Sequence, residues 1–129
     1  MAGKLLDTTV LIDLSRGKSE AADFVDNERR LGTDLFVSVV SAMELLVGCR
    51  DKAELRKAEK QIADFKLIQL TSAMSQQAYT LILTYTKSHG LMIPDALIAA
   101  TALIESLELM SDNDRHFKMI PNLIVARPY

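Results

Sequence analysis

Lys4-Leu5-Leu6-Asp7 is the stretch from which the fold can be read: a short apolar run ends in an acid, and Thr8-Thr9-Val10-Leu11-Ile12-Asp13-Leu14 follows it with enough length for a helix. Four further short apolar runs lie at 35–38, 67–70, 109–111 and 123–126. Between them are helical patterns. Leu55, Ala58, Ile62 and Phe65 recur at three- and four-residue intervals among Arg56, Lys57, Glu59 and Lys60, and Met74, Ala78, Leu81, Ile82 and Tyr85 do the same in the next segment. Residues 95–107 are apolar nearly all round, as in a helix of the interior. Gly32, Gly48, Gly90 and Pro94 stand where helices should end or begin. Strands alternating with helices demand crossover connections, so the expectation is a three-layer α/β/α domain with a central, mainly parallel sheet of about five short strands. No repeat or linker divides the chain, and residues 1–129 read as one domain.

Composition bounds the chemistry. With 129 residues the chain can bury a core without covalent or metal staples. A single cysteine, Cys49, excludes a disulfide scaffold and a zinc-finger framework, so metal chemistry must use oxygen or histidine. The start, Met1-Ala2-Gly3-Lys4-Leu5-Leu6-Asp7, has no sustained apolar stretch before its first acid, unlike a secretory signal, and cytoplasmic residence is the expectation. The long uncharged run 68–86 is too rich in Gln, Ser and Thr to span a bilayer, so no membrane association is expected. Net charge is −2, so a nucleic-acid partner would have to be met by a local basic cluster rather than by the field of the whole molecule.

Ligands of open α/β sheets bind beyond the carboxyl ends of the strands. Asp7, Asp112 and Asp114 follow two apolar runs and fall there. Glu44 and Asp95 lie near expected helix starts in apolar surroundings, where unpaired acids are rare. Carboxylates converging from separate segments raise one another's proton affinity unless a cation sits among them, and hard oxygen donors suit Mg2+ or Mn2+. Each acid also has a structural reading. Ser41-x-x-Glu44 is a capping box, Pro94-Asp95 fits the first turn of a helix, and Asp112-Asn113-Asp114 fits an ordinary polar loop.

The pattern as a whole resembles a PIN-domain nuclease of the VapC toxin branch. Four blocks carry the resemblance in order: 6–14 with Arg16-Gly17, 38–48, 94–102 and 109–117. By this resemblance Asp7, Glu44 and Asp95 match the three core acidic metal ligands. Asp114, three residues before Phe117, matches the fourth, with Asp112 as the alternative and Ser111 at the family's hydroxyl position. The resemblance implies an endoribonuclease that uses Mg2+, with Mn2+ as substitute, and hydrolyses RNA phosphodiesters. It also implies a homodimer and a VapB-like antitoxin that wraps the region of residues 41–65.

Basic residues should flank such a site, and Arg16, Lys18, Arg50, Lys52, Arg115 and Lys118 follow the blocks; Arg16 and Arg115 are the chosen substrate contacts. His89 and His116 read as bystanders, since hydrolysis between metals needs no histidine base. The apolar stripes of residues 41–65, with Met43, Leu46, Val47, Leu55, Ile62 and Phe65, read as core ahead of a partner groove. Competing readings are a PIN nuclease of RNA processing or DNA, a catalytically silent PIN-like binding module, and a phosphoacceptor receiver domain. The last wants an acid after the third apolar run, where Thr71-Ser72 stand instead.

Overall fold

The computed structural model describes residues 3–129; the amino-terminal reading at Met1 and Ala2 lies outside them. Five strands form one sheet: β1 (Gly3–Leu6), β2 (Asp34–Ser38), β3 (Lys66–Ile68), β4 (Glu108–Met110) and β5 (Val125–Ala126), in the order β3-β2-β1-β4-β5. Every pairing is parallel, where the sequence led to a mainly parallel sheet. Six helices connect the strands: α1 (Thr8–Ser15), α2 (Ser19–Arg30), α3 (Val39–Val47), α4 (Lys52–Ala63), α5 (Ser72–His89) and α6 (Ile93–Glu105). A single 3-10 turn, Asp114–His116, lies between β4 and β5.

Side-chain alternation along each strand divides the core into two layers. Leu5, Phe36, Leu109 and Val125 pack with α5 and α6, whose Met74, Ala78, Leu81, Ala96, Ile98 and Ala99 are buried. Leu6, Leu35, Val37, Met110 and Ala126 point the other way, onto Val10, Leu11, Val25, Leu45 and Ala58 of α1 to α4. Six residues of α6 are buried, as its apolar circumference leads one to expect. Gly90 ends α5 with φ +67°, in the left-handed region that lets a helix stop where a side chain would strain. Gly3 lies where an added Cβ would stand 2.6 Å from the Phe36 ring, so β1 can pack this tightly only with glycine there.

From β1 the chain builds outward through β2 to β3, then returns past β1 to lay down β4 and β5 on the other side. That reversal splits the chain's departures from β1 and β4 and leaves a crevice above their carboxyl ends. No described helix is long and apolar enough to cross a membrane.

Candidate active site

Asp7 stands just past the end of β1 as the N-cap of α1, and the residue is 3% exposed. It is held on both oxygens. Oδ1 accepts from the Thr8 amide at 2.8 Å, and Oδ2 accepts from Ser111 Oγ at 2.7 Å and Thr9 Oγ1 at 3.3 Å. Ser111 is the first residue beyond β4 and fully buried, so one hydroxyl ties the two strand ends together. Burial raises the Asp7 carboxyl above its ordinary value; these three hydrogen bonds oppose the rise, and the Glu44 charge adds to it.

The capping box does not form. Ser38 caps α3, its Oγ accepting from the Val40 amide at 3.1 Å, so Ser41 and Glu44 lie inside the helix. Glu44 is exposed rather than enclosed by its apolar neighbours. Its Oε1 accepts from Thr8 Oγ1 at 2.6 Å, which turns the carboxylate toward Asp7 instead of back to its own helix. Asp95 does occupy the first turn of α6, half-buried, next to Pro94. Burial, then the Asp7 charge, push its carboxyl up to about 6; His116 opposes the shift and Glu44 adds to it.

Asp7, Glu44 and Asp95 thus come from three different elements and act on one another's charge. Apart from His116, whose Nδ1 lies 3.8 Å from Asp95 Oδ2, no cationic side chain is ion-paired with any of them among the described residues. His116 is therefore a neighbour of the acids, where the sequence made it a bystander. His89 sits on the exposed end of α5 against Tyr85 and Ser88 and is paired with none of the acids. Among the described residues no three His, Cys, Asp or Glu side chains close on a common point tightly enough to grip a metal as they stand. The donor set still fits a hard divalent cation. It is all oxygen, it is electrostatically unbalanced, and it is partly open, as Mg2+ prefers when it retains water.

The loop after β4 is differently placed. Arg127, just past β5, donates from Nη2 to Asp112 Oδ1 at 2.8 Å and from Nη1 to the Asp112 carbonyl at 2.8 Å and Asp114 Oδ1 at 3.2 Å. Lys118 takes the other Asp114 oxygen at 3.2 Å. Lys118, followed by Arg127, holds the Asp114 carboxyl below its ordinary value. Both Asp114 oxygens are engaged by cations, whereas Asp112 Oδ2 has no such partner. Asp112 also donates its amide to Thr9 Oγ1 at 3.4 Å, which brings its backbone toward Asp7. No sequence signal pointed to Arg127. It lies outside every motif and meets the loop only because β5 pairs with β4.

Of the basic candidates, Lys18 is paired with Asp13, Arg50 with Glu54 and Lys118 with Asp114. Arg16 and Arg115 are exposed and have no carboxylate within 4.0 Å. A groove of about 500 Å3 runs between α1, α3 and α4, with Glu44 at its edge and Arg16, Arg50 and Lys57 on its walls. It lies beside the acids rather than over Asp7 and Asp95. The stripes read as core are divided here: Phe65 is buried and Leu46 and Ile62 partly so, but Met43, Val47 and Leu55 are 50%, 85% and 44% exposed. The periodicity located the helices and could not tell which apolar residues face outward.

Comparison with known proteins bears on this arrangement. A family model described as PIN domain matches residues 4–123. Over 120 residues the chain is 37% identical to Ribonuclease VapC10 of Mycobacterium tuberculosis, covering 92% of this chain and 89% of that one. Ribonuclease VapC19 of the same organism is 34% identical over 121 residues, covering 93% and 96%. Among solved structures, a toxin–antitoxin complex from Klebsiella pneumoniae contains a chain that superposes with TM-score 0.78 at 28% identity over 98% of both. VapBC2 from Rickettsia felis, bound to a DNA fragment from its promoter, contains one at TM-score 0.81 and 21% identity, covering 96% and 97%, a likeness of fold.

Proposed function

The chain belongs to the PIN-domain family, and from that premise we propose that it is an endoribonuclease, the toxin of a VapBC-like toxin–antitoxin pair, acting in the cytoplasm. The observation that carries the reading is the convergence of Asp7, Glu44 and Asp95 at the carboxyl edge of the sheet with no Lys or Arg among the described residues paired to them. The named relatives, both ribonucleases and alike over nearly the whole chain, support it.

Asp7, Glu44 and Asp95 would hold Mg2+, or Mn2+ in its place, with Asp112 or Asp114 as the fourth acid. When bound, the cation supplies Lewis acidity for hydrolysis of a phosphodiester. The protein's own part is positioning. Ser111, Thr8 and Thr9 fix Asp7 in one orientation, and α6 presents Asp95 from a helix whose buried face leaves it little freedom. Arg16 and Arg115, uncommitted to any acid, are the side chains free to meet the phosphates on either side of the scissile bond. Lys52 is unpaired as well among the described residues, whereas Lys18, Arg50 and Lys118 would first have to give up a carboxylate.

An enzyme of this kind needs restraint. A VapB-like antitoxin would cover α3 and α4, which wall the groove at Glu44 and also expose Met43, Val47 and Leu55. A homodimer completes the proposed assembly.

The deciding experiment is cleavage of total cellular RNA by purified, antitoxin-free protein in Mg2+, Mn2+ or EDTA, wild type against Asp95→Asn. Cutting at one or a few sites, lost in EDTA and in the variant, is the expected result. Folded wild-type protein that cuts nothing would overturn the reading in favour of a silent binding module.

A further inference from the structure

Among the described residues Thr8 is the one bonded to two of the three acids: its amide bond to Asp7 caps α1, and its hydroxyl bond to Glu44 is not needed to form that helix. Its amide donates to Asp7 Oδ1 at 2.8 Å, and its hydroxyl lies 2.6 Å from Glu44 Oε1 and 3.0 Å from Ser41 Oγ. A carboxylate at neutral pH only accepts, so the single Thr8 hydroxyl hydrogen goes to Glu44 and Ser41 donates to Thr8. The result is a directed chain: Ser41 on α3, Thr8 on α1, and back to Glu44 on α3.

Ser41 is an independent sign that this chain is built. It is 0% exposed within α3, and among the described residues its hydroxyl bonds only to Thr8. Glu44, by contrast, is exposed and long, and the charges of Asp7 and Asp95 repel it. Left alone, such a side chain would turn to solvent and sample several rotamers. The Thr8 bond opposes both tendencies.

We propose that Thr8 is a positioning residue of the site, holding Asp7 by its amide and Glu44 by its hydroxyl so that the two carboxylates keep a fixed relation before any cation arrives. This rests on the reading of the acids as cation ligands. Thr8 itself touches neither cation nor RNA; its role is to reduce the freedom that Glu44 would otherwise lose on binding. Partners that orient ligands in this way typically matter by about 10- to 100-fold in metal affinity.

The test is a Mn2+ titration followed by the paramagnetic resonance of free Mn2+, with a melting curve for every variant. Thr8→Val removes the hydroxyl at nearly constant shape and should bind Mn2+ about tenfold more weakly with its melt little changed. Thr8→Ser should bind as wild type does, and Ser41→Ala should fall between. In a cycle with Glu44→Gln, the loss from Thr8→Val should vanish, because there is no longer a carboxylate to hold. If Thr8→Val unfolds, Ser41→Ala and the Thr8→Ser comparison carry the same question. Thr8→Val binding as tightly as wild type, with Glu44→Gln still impaired, overturns the role of Thr8 alone. Wild-type protein that takes up no Mn2+ overturns the metal reading and this role together.

Discussion

Asp95 has its pKa pushed up to about 6 by burial and then by the Asp7 charge, which sets an unusual sign for the link between pH and stability. An acid whose pKa rises on folding holds its proton more tightly in the folded chain. The stability it contributes is whole below an unfolded pKa near 4 and is lost as pH rises through about 6. Glu28 is the ordinary opposite case. Lys4 lowers its carboxyl, so its stabilising effect is present at neutral pH and fades on acidification. In EDTA, Asp95→Asn should therefore melt higher than wild type at pH 7, by a few degrees or about 1 kcal/mol, and alike at pH 4. Circular-dichroism melts at the two pH values check this, and equal melting at both would show that Asp95 is not strained by its neighbours. The acids were legible in the sequence because their residue types and flanking blocks are distinctive. The orientation of Glu44 was not. Ser-x-x-Glu reads as a cap only if Ser41 begins the helix, and Ser38, three residues earlier, takes that position.

At the scale of elements, the segment after β5 acts as a strap. Arg127 grips Asp112 and Asp114, and Tyr129 Oη donates to Asp13 Oδ2 at 2.5 Å while Lys18 lies over its ring and pairs with the same acid. Both turns that flank the acidic site, one after β4 and one after α1, are thereby tied to one short tail. Exposed ion pairs contribute little singly, but a three-contact guanidinium fork has geometry a lone pair lacks. Arg127→Ala should lower stability by about 1 kcal/mol and speed amide hydrogen exchange across residues 111–118, with Arg127→Lys recovering only part. Unchanged exchange there would mean that the loop holds itself through Ser111 and Thr9. Helix positions could be read from periodicity over 12 to 18 residues, as in α4 and α5. Strands of two to five residues could be placed only to within a residue or two, since so short a run carries almost no period: β5 is Val125–Ala126, where the sequence marked 123–126. The tail carries no period and no motif, so nothing local announced it.

For the whole molecule, a net charge of −2 still leaves cations free, because among the described residues only six of the fifteen Lys and Arg side chains pair with carboxylates, and Arg16 and Arg115 are not among the six. The sheet order, with the first strand at its centre, has a further consequence for timing. β1 can pair with β2 as soon as both exist, but its other edge waits for β4, and the Ser111–Asp7 bond joins residues 104 apart. Such long-range pairing forms late. Ribosome-bound chains should stay open to protease at β1 until β4 has left the exit tunnel and turn resistant soon afterwards, as pulse proteolysis of stalled nascent chains would record; early resistance would contradict this order. A ribosome making this chain thus carries no working centre until β4 and Ser111 have emerged, which gives an inhibitor already present in the cell the time of elongation up to that point to be at hand.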